Sequence, residues 1–324
     1  MWNVLGQLNK NLIIAIPAML LAGFTCGLFV NAQPLKSLIL PFTFLMVYPM
    51  MVTLKVREIF KGGDFKAQIL CQMINFAIVP FVAYAGGRLF FPDQPYMALG
   101  LLLAALVPTS GMTISWTGFA KGNLPAAIKM TVIGLILGSL ATPLYVQSLL
   151  GAQVKMDLAA IFKQIVLIVF LPMLAGYITQ RLLIRRFGQA DFQLRLAPRF
   201  PGFSTIGVLG IVFIAMAIKA KDVAAQPDQL IIIILPLLLL YSLNFVLSTT
   251  IGKLFLPRGD AIALVYGTVM RNLSIALAVA INAFGPAGSD AALVIALAYI
   301  IQVQSAAWYV KLTPRLFGQA PLET

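Results

Sequence analysis

Histidine is missing from this 324-residue chain altogether. Any His-based metal site, catalytic triad or imidazole proton relay is missing with it. Charge is scarce as well. Asp, Glu, Lys and Arg make up 10% of the residues, too few for a soluble protein of this size to cover its surface with polar groups. Cysteine is reduced to Cys26 and Cys71, with no CxxC pair, so no disulfide framework supports the fold. The ten Asp and Glu all fall in gaps between apolar runs or at their edges. No apolar run presents a His, Asp or Glu for acid–base work, which argues against an enzyme. A long polar segment is lacking too. The widest gap, roughly 182–201, is too short for a soluble domain and argues against a receptor.

What is present is apolar. Hydrophobic residues make up 60% of the chain, and the mean hydropathy is +0.95. A bilayer core takes roughly 20 apolar residues per helix, and the runs predict about ten transmembrane helices. They fall near 11–30, 36–54, 67–86, 95–121, 124–148, 157–181, 202–219, 229–254, 260–284 and 288–312. Lys10 before the first run and Val30-Asn31-Ala32 after it make a loose signal-peptidase pattern. The first run is read as a retained span, because its removal would break the repeat described below.

The net charge of +13 points to topology and not to nucleic acid, because the cations sit in short gaps between spans. Sorted by side, sixteen of the 23 Lys and Arg fall on one face: Lys10, Lys55, Arg57, Lys61, Lys66, Lys121, Lys129, the arginines from 181 to 199, Lys253, Arg258, Lys311 and Arg315. Five (Lys36, Arg88, Lys155, Lys219 and Lys221) fall on the other, and Lys163 and Arg271 lie within spans. This bias predicts a multi-pass inner (plasma) membrane protein with an even span count and both termini cytoplasmic.

Spans four and nine share a layout. Span four has Pro108-Thr109-Ser110-Gly111-Met112-Thr113 at mid-depth, and span nine has Met270-Arg271-Asn272-Leu273-Ser274. Each stands fourth in a group of five, so the chain divides into a first repeat, 1–152, and a second, inverted repeat, 153–324. Polar breaks in mid-membrane are expensive unless they line a cavity or are buried in protein. Each second half-helix would start at the midplane with its N–H groups aimed inward. Arg271 lies about 16 Å of helix from Asp260 and has no intramembrane carboxylate to pair with. A permanent cation there asks for an anion. The alternative is that Arg271 bonds the carbonyls that end the first half-helix and only pins the break. Gln72, Asn75, Thr131, Asn244, Gln302 and Gln304 are further polar residues at membrane depth. Their plain role is helix–helix hydrogen bonding, although Gln72 and Gln302 could face the breaks. Trp116 either walls the pocket or packs beside it.

At these motifs the chain resembles the bile acid:sodium symporter superfamily over essentially its whole length. It is most similar to the arsenite permease (arsenical resistance) branch, through Pro108 to Thr117, Tyr48-Pro49-Met50-Met51 and the run Ala278 to Gly285. The resemblance implies an all-α membrane protein of ten helices with broken, crossing helices four and nine. It also implies a core of spans 3–5 and 8–10 that moves against a panel of spans 1, 2, 6 and 7. Several positions depart from the pattern. Arsenite permeases carry Cys at Thr109 and Glu at Ile275. Sodium-coupled members carry Asn at Ile114, Ser at Ala127 and Glu at Gly267, so that only Thr113 and Thr131 keep oxygens of the first sodium site. A Gln of the second sodium site aligns with Arg271, which suggests a cation built into the protein.

The expectation is a secondary transporter that moves a small anion or oxyanion by alternating access, without sodium coupling. The binding residues would be Thr109, Ser110, Gly111, Thr113, Arg271, Asn272 and Ser274, with Gln72, Thr131 and Gln302 nearby. No cofactor, metal, catalytic residue or nucleic acid is expected; the partners are the anion and the lipid bilayer. The rivals are an arsenite or antimonite efflux permease and a sodium-dependent organic-anion symporter.

Overall fold

The computed structural model describes residues 12–54, 63–151, 154, 158–225 and 228–319. Several charges used for orientation (Lys10, Lys55, Arg57, Lys61 and Lys155) lie outside them, as do Glu58, Asp157 and Glu323. The described residues are helical almost throughout, as expected where no water is available to satisfy exposed backbone groups. In chain order the helices are α1 (Leu12–Phe29), α2 (Ile39–Val52), α3 (Phe65–Met73), α4 (Val79–Phe90), α5 (Pro95–Leu106), α6 (Gly111–Phe119), α7 (Leu124–Leu150), α8 (Leu158–Ile165), α9 (Leu171–Phe187), α10 (Phe200–Ala225), α11 (Asp228–Phe255), α12 (Arg258–Val269), α13 (Leu273–Phe284) and α14 (Gly288–Phe317). Single π-turns, Ile74–Ile78 and Val166–Phe170, join α3 to α4 and α8 to α9.

Among the described residues, seven helices are long and apolar enough to cross a membrane, and Ile14–Phe29, Pro95–Leu106 and Leu273–Phe284 are shorter apolar helices. The last two are short because each abuts a backbone break. Hydrophobic side chains face outward in numbers no soluble surface would tolerate. Leu21, Leu40, Leu174, Ile231 and Val246 are all largely exposed, as side chains solvated by lipid would be. Observed helices also run beyond the apolar spans. The sequence predicts a helix over 202–219, and α10 spans Phe200–Ala225, because helix continues past the membrane core wherever its backbone bonds are unbroken.

The helices pack in two groups. In one, α10 lies along α1 and α2, and α9 lies on α2. In the other, α5 packs against α4 and α14, α13 against α14, and α11 against α12. The second group encloses the breaks: every residue from 101 to 110 and from 261 to 280 is buried. At one end, Asn123 ties α7 to the start of α12 through its N–H to the Gly259 carbonyl (2.9 Å) and its amide to Asp260 (2.6 Å). Arg258 reaches the Lys121 carbonyl at that same end (2.8 Å).

Candidate functional site

Proline dictates the first break. Pro108 has no N–H to continue α5, and it pushes the residue before it out of helical geometry; Val107 sits at φ −96°, ψ 85°. Helix resumes at Gly111 because Ser110 caps it. The Ser110 hydroxyl accepts from the Met112 N–H (3.2 Å), and the Thr113 hydroxyl accepts from the Ser110 N–H (3.2 Å), a reciprocal capping box. The second break uses Asn272, whose side-chain oxygen accepts from the Ile275 N–H (3.2 Å) and starts α13.

The breaks meet. The Thr109 N–H donates to the Met270 carbonyl, and the Asn272 N–H to the Val107 carbonyl, both at 2.8 Å. Together they form an antiparallel bridge between Pro108 and Arg271. Each break thus satisfies backbone groups the other has freed, which makes two interruptions tolerable at this depth. Thr109 is held in the left-handed region at φ 66°, a strained setting for a β-branched residue. Its hydroxyl is shared between the carbonyls of Pro108 (2.6 Å) and Thr131 (3.0 Å).

Arg271 is 3% exposed. Its backbone is clamped by Gln302, which accepts from the Arg271 N–H (2.8 Å) and donates to the Arg271 carbonyl (3.2 Å). The Tyr241 hydroxyl donates to the same Gln302 oxygen (2.9 Å) and fixes the amide. Both terminal guanidinium nitrogens of Arg271 are buried with no hydrogen-bond partner among the described residues. Arg271 is among the residues that line a cavity of about 290 Å³ at the crossing. The second group of helices lines it with Ser110, Gly111, Met112, Ile114, Ser115, Arg271, Asn272, Leu273, Ser274 and Tyr299. The first group contributes Met50, Thr53, Pro201, Ser204, Thr205 and Val208.

The cavity therefore gathers Ser110, Gly111, Arg271, Asn272 and Ser274 from the sequence reading. Ser274 hydrogen-bonds the Tyr299 hydroxyl. Thr109 and Thr131 line a smaller neighbouring pocket of about 50 Å³. Thr113 and Gln302 are not among the lining residues: one serves the cap and the other the Arg271 backbone. Gln72 is not among the residues that line either pocket at the crossing. It lines a separate, shallow recess with Gln68, Phe76 and Ala77, and both polar atoms of its amide are buried without a partner. Asn75 donates to the Gly267 carbonyl (3.0 Å) and Asn244 to the Thr268 carbonyl (2.7 Å), which makes both braces for α12. Tyr299, Pro201, Ser204, Thr205 and Val208 come from helices distant in sequence; with Thr53 they are the lining residues that the sequence left unmarked.

The description of the sodium bile acid symporter family matches residues 40–226 of this chain. The chain belongs to that family. Among its relatives, the arsenical-resistance protein Acr3 of Alkaliphilus metalliredigens is 25% identical over 96% of this chain and 93% of its own length. The Acr3 protein of Corynebacterium glutamicum is 22% identical over 81% of this chain and 75% of its own. Sodium/bile acid cotransporter 7 of Xenopus tropicalis is 23% identical over 57% and 54%. The family and the lipid-suited helices make the chain a multi-pass membrane transporter.

Proposed function

We propose that this transporter is a secondary carrier of a small anion or oxyanion, bound at the crossing against Arg271. The observation behind this reading is the unpartnered pair of buried guanidinium nitrogens on Arg271, a residue that lines the cavity. A buried cation with no counter-charge is costly, and an anionic ligand offsets that cost. The Ser274–Tyr299 hydroxyl pair and the two capped helix starts, α6 and α13, supply further donors.

In this reading the seven long helices, α1 and the two broken helices make ten spans, arranged as two inverted five-span repeats. The chain 1–152 forms one repeat and 153–324 the other. The group around the breaks is the moving core, and α1, α2, α8–α9 and α10 are the panel. Both termini face the cytoplasm.

Sodium independence has its own support. A Cβ at Gly267, where sodium-coupled members carry Glu, would lie 2.7 Å from Met130 Sδ and 3.0 Å from Cys71 Sγ. Sulfur fills the space a carboxylate would need, and a hard cation favours neither atom. The second reading is an organic anion with a hydrocarbon body. The size of the cavity and its Met50, Pro201, Val208 and Leu273 wall favour it over a bare oxyanion.

The test is thermal stability of the purified protein with inorganic oxyanions and small carboxylates, with and without sodium. A bound ligand raises the midpoint by mass action. At least one anion should stabilise the native protein without sodium and leave Arg271→Gln unshifted. Stabilisation that requires sodium and survives Arg271→Gln would establish an ordinary symporter instead. Arsenic sensitivity of cells carrying the gene separates arsenite efflux, which has no need of Arg271.

A further inference from the structure

The two groups of helices meet again at the end of the molecule opposite the cavity mouth. Helix direction defines that end. The cavity is lined by the last turn of α2 (Met50) with Thr53 beyond it, and by the first turns of α10 (Pro201, Ser204). The opposite ends of the same helices, Ile39 and Leu40 of α2 with Ala215 and Ile218 of α10, line a second recess of about 270 Å³ against Asn282 and Ser289. Exposure varies within each: Gly111 and Ser115 are exposed in the cavity, and at the far recess Ala215 is 2% exposed while Leu40 and Gly285 are exposed.

Polar contacts bridge the groups at that far end. Lys219 of α10 pairs with Asp290 in the first turn of α14 at 2.6 Å. Asn282 of α13 donates to the Thr43 hydroxyl of α2 at 3.3 Å. The ion pair is partly exposed, its Lys219 and Asp290 side chains keeping 18% and 31% of their surface, whereas Thr43 is buried. A partly hydrated pair contributes a modest attraction and parts at modest cost, as a contact that must break in every cycle requires. Helix α14 also holds Tyr299 and Gln302, which bond Ser274 and the Arg271 backbone. One rigid helix thus joins the far contact to the binding site.

We propose that the Lys219–Asp290 pair is the gate on the side away from the cavity mouth. It holds the binding site closed to that side and must open for the site to be reached from there. The proposal rests on the alternating-access reading. Its test does not depend on the identity of the substrate.

Single cysteines are placed at Ala215 (buried in the far recess) and Ser115 (exposed in the cavity) in a Cys26→Ala background, with the fully buried Cys71 retained. Each is labelled with a membrane-impermeant maleimide from its own side in oriented vesicles. Asp290→Asn should raise labelling at position 215 about fivefold and lower it at 115, because a shift of one two-state population must do both. The charge-reversed pair, Lys219→Asp with Asp290→Lys, should restore both rates and shows that the single variant is folded. Unchanged labelling at 215 overturns the gate. So does a rise at 215 with no fall at 115, which is local loosening, and so does a reversed pair that stays fast. Opposed shifts in a protein that no anion stabilises would uphold the gate while removing the anion reading. Anion stabilisation without any labelling shift would do the reverse.

Discussion

The terminal nitrogens of Arg271 are not spent on pinning the break. A structural arginine at a helix break spends its donors on the carbonyls the break frees. Here that work is done by others. Gln302 holds the Arg271 N–H and carbonyl, and the Thr109 N–H takes the Met270 carbonyl. The guanidinium is left over, with both terminal nitrogens unbonded. The ligand-free protein therefore bears an unpaired buried charge, and its removal should be stabilising. Arg271→Met keeps the length and apolar stem and drops the charge. The ligand-free variant is expected to unfold later than the native protein by about 1–3 kcal/mol, seen as a higher thermal midpoint in detergent. An anion that stabilises the native protein should have no effect on it. A lower midpoint would mean that Arg271 holds the break together, and the pinning role would replace the binding one.

At the scale of the element, the crossing depends on how closely α7 approaches the first break. Gly134 and Gly138 stand one turn apart on α7, directly under it. A Cβ at Gly138 would meet Pro108 Cδ at 2.5 Å, and one at Gly134 would meet Thr109 Oγ1 at 2.7 Å. Gly111, by contrast, has nothing within 4 Å of its added Cβ. Gly138→Ala should cost about 1–3 kcal/mol through forced displacement of Pro108, whereas Gly111→Ala should leave the midpoint within about 0.5 kcal/mol. Thermal unfolding of the two variants side by side checks this, and equal midpoints would show that the break yields to α7 freely. These elements also show what the sequence made legible. The breaks announced themselves through Pro108, the Ser110 and Asn272 caps and a lone arginine, all local signals. The direction in which Gln72 points did not. A helix that is apolar all round has no polar face to say which side meets the core, and the Ile74–Ile78 π-turn alters the register just beyond it. Tyr299 and Ser204 reach the cavity from other helices through packing alone, which spacing along one chain does not encode.

For the whole molecule, the proposed division into two moving bodies would assign different duties to two ion pairs of equal length. Lys219–Asp290 joins the groups, and Lys129–Asp64 lies inside one of them, also at 2.6 Å. The sequence reading counted Lys129 among the cations of the cytoplasmic gaps. The structure places it in the second turn of α7, where its side chain is 4% exposed. It joins α7 to the start of α3, and both helices belong to the body around the breaks. A pair internal to a rigid body stays intact while the bodies move, so it bears on stability and not on which side is open. Lys129→Met leaves a nearly buried carboxylate uncompensated and should cost about 3–5 kcal/mol. Adding Asp64→Asn removes that charge and should return most of the loss, because asparagine also tolerates the left-handed backbone at this position (φ 55°). Neither variant should change the ratio of labelling at positions 215 and 115, the ratio that Asp290→Asn shifts. A changed ratio in the double variant would mean that α3 and α7 do not move as one piece, and the boundary between the moving bodies would then lie inside the helices that surround the breaks.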